Sequence, residues 1–228
     1  MFTEFIVIYF AKIILFRDFT RVFFLPLQIL KKKGKKNNID MNNYTISKAS
    51  PKDIDRIMVL AAASRQIMKE SGNPTQWTNN HPSRETIEED VERGDCYVIS
   101  KRGGGDATDS ADKDDATDNA ESMIVGSFVF REGPDPSYAN IYDGAWIDDT
   151  LPYHVIHRVM SLPDAHGIFA EIINFCFQHS KNIRIDTHRN NRIMRRLIEK
   201  YGFKYCGIVH IVDLEEDYER RAYQSFEF

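Results

Sequence analysis

The feature that most constrains the fold is the alternation of strand-like and helix-like segments in the second half of the chain. Residues 155–162 and 182–187 have the apolar or alternating pattern of strands, whereas residues 166–180 and 192–200 place apolar side chains at helical spacing. Residues 203–212 form a last strand-like segment. Because helices that join parallel strands make right-handed crossovers, this order predicts a sheet that is at least partly parallel in its second half.

The first half predicts the remaining strands and two further helices. Ser50 and Pro51 supply an N-cap and a proline at the first helical position, so we expect a helix that runs to about Glu70. A second, amphipathic helix is expected after the cap residue Ser83, and Gly94 ends it. The segments with strand-like or apolar patterns are 44–49, the hairpin partners 96–101 and 123–131, and 138–147.

The composition is that of a soluble globular protein with one domain or at most two. The 228 residues are 42% hydrophobic and carry a formal charge of -4, which gives no sign of a nucleic-acid partner. The three cysteines, Cys96, Cys176 and Cys206, are widely spaced and contain no Cys-x-x-Cys pair. We expect buried thiols in a reducing compartment, and hence a cytoplasmic protein.

The first forty residues differ from the rest of the chain. Two apolar runs, residues 5–16 and 22–30, precede a lysine cluster, and neither run approaches the ~20 residues needed to cross a bilayer. One interpretation is an interfacial anchor reinforced by basic residues. The favoured one is an upstream stretch outside the working protein, which then begins at Met41, so membrane association is expected only if residues 1–36 are an anchor. The expected organisation is an N-terminal extension, residues 1–40, and one domain, residues 41–228.

An acidic insert interrupts the predicted hairpin at residues 103–122. It contains Asp-Ala-Thr-Asp twice and no large apolar residue, so it cannot bury enough surface to offset the entropy of ordering it. Aspartates at alternating positions suggest a calcium loop, but the glycine and the final glutamate of an EF-hand are missing. A disordered hairpin tip is therefore favoured, and no metal site is expected.

Common catalytic motifs are missing from the sequence, which has no Walker loop and no Gly-x-Ser-x-Gly elbow. His154 and His157 are three residues apart on a predicted strand, so their side chains point to opposite faces and do not form a joint metal site. One junction can bind an anion. The strand that ends near Leu162 runs through Gly167 into an apolar helix, and free N–H groups at a helix N-terminus suit a diphosphate.

Two segments, together with the order of the elements, carry a family resemblance. The first is HRVMSLPDAHG, residues 157–167, and the second is the Asn-led helix that ends in Gly-Phe, residues 191–203. The chain resembles the GNAT superfamily of acetyl-CoA-dependent N-acyltransferases over residues 44–215. The resemblance implies an α/β (α+β) fold, with a mixed, mostly antiparallel central sheet flanked by helices and a splayed pair of fourth and fifth strands. Segments similar to one bacterial branch are Gln76-Trp77, Tyr138, Asp143–Trp146 and Pro152–His154.

The resemblance also implies where acetyl-CoA binds, as co-substrate and without a metal. In this family the pantetheine arm lies in the gap between the fourth and fifth strands, and the amides of the following helix hold the diphosphate. The strand edge corresponds to His157, Arg158 and Val159, and Asn191 approaches the pantetheine arm. The amides belong to Ala165, His166, Gly167, Ile168, Phe169 and Ala170.

The implied reaction is acetyl transfer to a primary amine of a small molecule or a protein, by direct attack on the thioester. Asp143 and His154 are the candidates for the general base, and Tyr201 for the acid that protonates the departing thiolate. Each has a purely structural alternative, in a turn, at a strand end or in the core. The residues expected to wall the acceptor pocket are Trp77, Tyr142, Trp146 and Tyr153.

Three departures from the family pattern favour an alternative function. Asp164 and Phe169 replace a basic or amide residue and a small residue of the diphosphate signature, and Ile198 stands where a proton-donating tyrosine is common. The alternative is a catalytically silent acyl-CoA-binding or interaction module of the same fold. The sequence leaves the acceptor open, whether a small-molecule or a peptide amine, and likewise the oligomeric state, a homodimer included.

Overall fold

The computed structural model describes residues 44–102, 122–212, 214 and 217–226. The predicted extension at residues 1–40 and the acidic insert, apart from Ser122, lie outside the described residues. Within the described part of the chain, no helix combines the length and the apolar character that crossing a membrane requires.

The described residues form one mixed sheet of seven strands: β1 Tyr44–Lys48, β2 Cys96–Lys101, β3 Met123–Glu132, β4 His154–Ser161, β5 Asn182–Thr187, β6 Lys204–His210 and β7 Glu219–Phe226. The strand order is β1-β2-β3-β4-β5-β7-β6. Every neighbouring pair is antiparallel except β4 and β5, which run parallel. The fold class expected from the resemblance is thereby confirmed.

Four α-helices accompany the sheet in the described residues: α1 Ile54–Glu70, α2 Arg84–Glu92, α3 Ile168–His179 and α4 Arg192–Lys200. Local capping explains where they begin. The N–H of Ser50 donates to Asp53 Oδ2 at 2.8 Å before α1, and Ser83 Oγ accepts the N–H of Thr86 at 3.2 Å at the start of α2.

The core lies on both faces of the sheet, as the alternation along β2 shows. Cys96 and Val98 point to one face and pack with α1 and α2, whereas Tyr97 and Ile99 point to the other and pack with α3. Each fully buried aliphatic side chain contributes about 1.5–3 kcal/mol to folding. Such residues include Ile57, Leu60, Ile87, Ile156, Ile172, Ile173 and Ile183.

The apolar run at residues 138–147 is not a strand. Pro136–Tyr138 is a single 3₁₀ turn, and Tyr142 forms an isolated bridge with Ile208. Tyr138 and Trp146 are buried against each other, with ring centroids 5.3 Å apart. The run is apolar because its rings pack onto the sheet, not because it extends the sheet.

The sequence pattern does not predict β7, since residues 203–212 were its last strand. β7 lies between β5 and β6 and pairs antiparallel with both. Arg220 and Gln224 are buried in β7 together with Ala222 and Tyr223. Buried polar side chains remove the simple alternation by which a half-buried strand is recognised.

An irregularity at Arg158 divides β4 into two parts. Val129 pairs with His157 and Ser127 with Met160, so β4 carries one extra residue between these pairs, and the φ of Arg158 is +48°. On its other side, β4 pairs with β5 only from His154 to Ile156. The splay that the resemblance implied therefore begins after Ile156.

Candidate active site

Beyond Ile156 the gap between β4 and β5 connects two cavities. The small cavity has a volume of about 430 Å³ and lies at the start of α3. The large cavity has a volume of about 530 Å³ and lies between the loop before α2 and the ends of β5 and β7. The two cavities meet, because four residues line both: Met68, Val159, Asn191 and Met194.

Backbone N–H groups at the start of α3 face the small cavity. Gly167 precedes the helix with a φ of +81°, and a Cβ there would meet no heavy atom within 4 Å. The left-handed conformation, rather than a lack of space, therefore favours glycine. The N–H groups of Ala170 and Glu171 donate to the carbonyl of Gly167, whereas those of Ile168 and Phe169 have no backbone acceptor among the described residues and can bind an anion.

Two of the departures from the family pattern leave this cavity open. The ring of Phe169 is 5% exposed and packs edge-on against Tyr201, with centroids 5.6 Å apart, so it forms part of the cavity wall. Asp164 lies in an exposed turn and lines neither cavity. Burial, together with the charge of Asp164, raises the pKa of Tyr44, whose hydroxyl donates to the carbonyl of His166.

The irregular part of β4 is held by a buried ion pair. Arg158 binds Asp90 through two hydrogen bonds, Nε to Oδ2 and Nη2 to Oδ1, both 2.6 Å long. Asp90 is fully buried on α2 and also accepts a bond from Arg93. The extra residue of β4 is thus fastened to α2, and its neighbour Val159 lines both cavities.

A histidine and two aspartates meet in the wall of the large cavity. His157 Nε2 lies 2.7 Å from Asp135 Oδ2, and His157 Nδ1 lies 3.6 Å from Asp186 Oδ1. The hydroxyl of Tyr138 donates to Asp186 Oδ1 at 2.7 Å, and Arg131 donates to Asp135 Oδ2. The imidazole therefore has a carboxylate at each of its two nitrogens.

The charges of this group follow from burial and hydrogen bonding. Burial disfavours the ionised form of Asp135, but its hydrogen bonds and charge interactions with His157 and Arg131 outweigh burial and hold its pKa well below the usual range. Asp135 is therefore a carboxylate at neutral pH and accepts a hydrogen bond from Nε2 of His157, which leaves Nδ1 on the side of Asp186. Burial and the charges of Asp186 and Asp135 raise the pKa of Tyr138, which stays a hydrogen-bond donor.

Asn191 joins two segments of the chain at the point where the cavities meet. Its Oδ1 accepts the N–H of Met194 at 3.0 Å and so caps α4, while its Nδ2 donates to Gln76 Oε1 at 2.9 Å. Gln76 Oε1 also accepts a bond from Asn73. The loop that carries Trp77 into the large cavity is therefore tied to the start of α4.

The two residues expected to act as general base lie away from both cavities. Asp143 is exposed in a loop, with a φ of +52°. His154 begins β4 and stacks on Phe130, with centroids 4.8 Å apart, and burial lowers its pKa. Tyr201, the expected acid, lines the small cavity at the end of α4.

Of the four aromatic residues expected around the acceptor, only Trp77 lines either cavity. Trp146 and Tyr153 enclose the Arg184 guanidinium, whose Cζ lies 4.0 Å and 3.8 Å from their ring centres. Tyr142 is 46% exposed and stacks on His210. The other expected residues that do line the cavities are His157, Arg158, Val159 and Asn191 at the large one and Ala165–Ala170 at the small one.

Sequence reasoning did not find the partners of His157. Asp186 could have been identified as a candidate, because it lies near the carboxyl end of a predicted parallel strand, where α/β sheets bind ligands. Nothing in the sequence indicated Asp135, since it lies in a loop and is separated from His157 by 22 positions. Within the described residues, no group of three or more His, Cys, Asp or Glu side chains is placed to hold a metal ion.

Comparison with known proteins identifies the fold. No family model matches the chain, and no curated protein matches it. Among solved structures, a GNAT-family acetyltransferase from Streptococcus agalactiae 2603 is 25% identical, with 81% of this chain and 96% of that chain covered and a TM-score of 0.64. A GNAT-family acetyltransferase from Listeria monocytogenes 4b F2365 is 19% identical, with 80% and 94% covered and a TM-score of 0.54.

The chain has the fold of the GNAT-family acetyltransferases, as the resemblance in the sequence implied. The chain is similar to the streptococcal acetyltransferase over nearly the whole length of that protein.

Proposed function

We propose that the chain is an acetyl-CoA-dependent N-acetyltransferase that acts on a primary amine. The observation that carries this proposal is the meeting of two chemically different cavities at the gap between β4 and β5. One cavity offers backbone amides at a helix N-terminus, and the other offers carboxylates and an imidazole. Two substrates can therefore approach from different sides and react where the cavities join.

Acetyl-CoA fits the small cavity and the gap. Of the amides expected at residues 165–170, those of Ile168 and Phe169 would hold the diphosphate, because the N–H groups of Ala165 and Ala170 already donate to Leu162 and Gly167. The edge of β4 from His157 to Val159, which has no strand partner on the β5 side, would pair with the amides of the pantetheine arm.

His157 takes the role of general base in the proposal. Asp186 attracts the ammonium form of the acceptor, and Nδ1 of His157 removes one proton, which leaves an imidazolium between two carboxylates. The amine nitrogen then bonds to the carbonyl carbon of the acetyl group while a backbone N–H of the β4 edge polarises the carbonyl. The carbon–sulfur bond breaks, and the departing thiolate takes the proton held by His157. Nδ1 is then free to take the second proton from the nitrogen and release it to solvent, which completes the amide.

The proposal gives no catalytic role to Asp143, His154 or Tyr201. A base must reach the amine, and neither Asp143 nor His154 lines a cavity. Tyr201 is ten residues along α4 from Asn191, which corresponds to about 15 Å. Asn191 marks the junction where the thioester would lie, so the proposal assigns Tyr201 to the wall of the cofactor site.

Calorimetric titration with acetyl-CoA, followed by a thiol-release assay over a panel of amines, tests the proposal. We expect binding, and thiol release with at least one amine. His157→Gln is expected to keep acetyl-CoA binding and to lower kcat by a factor of about 100 or more. The matched control is His154→Gln, on the same strand but outside the cavities, for which kcat is expected to stay the same.

Two results would change the conclusion. The absence of binding at millimolar acetyl-CoA would overturn the proposal. Binding without thiol release for any amine of the panel would instead support the catalytically silent acyl-CoA-binding module.

A cytoplasmic location is proposed from the cysteines. Cys96, Cys176 and Cys206 are all free and buried. Burial is the main cause that raises the pKa of Cys96 to about 11, and it also raises that of Cys176. Buried thiols that stay protonated are unreactive, which agrees with structural cysteines in a reducing compartment.

A further inference from the structure

Arg220 on β7 is a buried cation in the wall of the large cavity. It is 4% exposed, and its Nη1 donates to the carbonyl oxygens of Asp217 and Glu219. No carboxylate of the described residues forms an ion pair with it. The buried Arg184 and the half-buried Arg158 differ, since Arg184 binds Asp149 and Arg158 binds Asp90.

The strand register places Arg220 beside Asp186. Asp186 pairs with Ala222 across β5 and β7, and Arg220 is two residues before Ala222 on the same strand. Residues two apart on a strand point to the same face, so Asp186 and Arg220 are diagonal neighbours about 7–8 Å apart. Both line the large cavity.

The surroundings of Arg220 favour an anionic ligand. Burial lowers its pKa, the nearby charges of Asp186 and Asp217 oppose this, and Arg189 adds to it. A guanidinium nevertheless keeps its charge in proteins and offers donors in a geometry that suits a carboxylate. Ser137 also lines this cavity and accepts the N–H of Val212, which leaves its own hydroxyl proton for a ligand.

Building on the proposed acetyl transfer, we propose that the acceptor is an amino acid, a small molecule with a carboxylate close to its primary amine. Arg220 binds the carboxylate, and Asp186 receives the ammonium group. The two side chains start from diagonal positions about 7–8 Å apart in the sheet, a spacing that suits a small zwitterion. An internal lysine of a protein or a polyamine would leave the Arg220 guanidinium buried without an anion.

The test compares amino acids with their amides, in which a neutral carboxamide replaces the carboxylate. Two measurements are made on the full chain: the shift in Tm that each compound causes with CoA present, and kcat/KM from thiol release with acetyl-CoA. We expect at least one amino acid to raise the Tm and to exceed its amide by about 100-fold in kcat/KM. Polyamines are expected to be poor acceptors.

Arg220→Gln is expected to reduce the preference for amino acid over amide to less than about 3-fold and to abolish the shift in Tm. Arg221→Gln is the matched control, because Arg221 lies on the opposite face of β7 and stacks on Tyr205, 5.3 Å from its ring centre. We expect Arg221→Gln to keep the preference. If Arg220→Gln does not fold, the comparison of amino acids with amides in the unmodified chain decides the question.

The outcomes separate the two proposals. Efficient use of polyamines or amides, or an unchanged preference in Arg220→Gln, would overturn the amino-acid acceptor but leave acetyl transfer intact. If acetyl-CoA does not bind, the proposal of acetyl transfer is overturned. The shift in Tm that amino acids cause without CoA still tests the amino-acid site. An amino-acid-dependent shift that Arg220→Gln removes would support the site, and no shift with any amino acid would overturn it.

Discussion

The Arg184 guanidinium lies over the ring of Tyr153, with Cζ 3.8 Å from the ring centre, and the hydroxyl of the same tyrosine accepts the N–H of Asp135 at 3.0 Å. Arg184 lines neither cavity, yet it positions the loop residue that binds His157. Trp146 covers the other side of the guanidinium. Trp146 and Tyr153, two of the four aromatic residues expected to contact the acceptor, therefore support the site from behind the cavity wall.

Replacing Arg184 tests this support. Arg184→Met removes the cation from between its two rings and the bond to Asp149, and we expect the free energy of unfolding to fall by about 2–4 kcal/mol. We also expect kcat to fall while the KM for acetyl-CoA is unchanged. Chemical denaturation and steady-state kinetics measure the two effects. Arg189→Ala, at a half-exposed side chain, is the control, and equal kcat values for both variants would contradict the link to the site.

Asp135 predicts a specific dependence of stability on pH. Its pKa in the folded state is depressed below the unfolded value, so it stabilises the fold above pH ~4 and loses this contribution as the pH falls through the folded pKa. The unfolding free energy of the unmodified chain should therefore fall below pH ~4 more steeply than that of Asp135→Asn. Denaturation curves between neutral and acidic pH measure this difference. If the unfolding free energies of the two chains changed with pH in parallel, the pKa of Asp135 would not be lowered by its partners in the fold.

The ion pair between Asp90 and Arg158 predicts a loss of both stability and cofactor binding. Asp90→Ala leaves the half-buried guanidinium of Arg158 without its carboxylate, and we expect a loss of about 2–3 kcal/mol, less than for a fully buried pair. Because Arg158 holds the irregular part of β4, we expect acetyl-CoA affinity to fall more than the affinity for the amine. Denaturation and calorimetry measure these effects. Glu89→Ala, at the exposed neighbouring side chain, should change neither quantity.

Tyr201→Phe distinguishes the two roles considered for this tyrosine. In the wall of the cofactor site the hydroxyl is dispensable for the chemical step, and we expect kcat to change by less than about 3-fold. A proton donor to the thiolate would be needed in every turnover, so a loss of about 100-fold in kcat would restore that role. Single-turnover kinetics with saturating acetyl-CoA measure the step directly.

The sequence predicted most elements because their signals are local. Ser83 caps α2 through an N–H only three residues away, and Asn191 does the same for α4. Such bonds depend on neighbours in the chain, so a pattern of a few residues is enough to place a helix end. β7 was not predicted, because Arg220 and Gln224 are polar residues that are buried by contacts with distant parts of the chain.

The partners of His157 could not be predicted, because they depend on the packing of distant segments. Asp135 is brought to His157 by a loop that Arg184 supports, and Asp186 arrives from the next strand of the sheet. Neither relation leaves a spacing in the sequence. Asp143 and His154 carry the right chemical groups, but one lies in an exposed loop and the other on the opposite face of β4.

The short pairing between β4 and β5 has a consequence for the whole molecule. Strands β1–β4 and β5–β7 are hydrogen-bonded to each other through only the three residue pairs from His154 to Ile156 among the described residues. A pantetheine arm in the gap would act as a missing strand between the two halves of the sheet. By mass action, ligand at 100 times its Kd adds about 2.7 kcal/mol to stability. The resistance of this chain to unfolding, and with it its lifetime in a cell, would then follow the supply of acetyl-CoA.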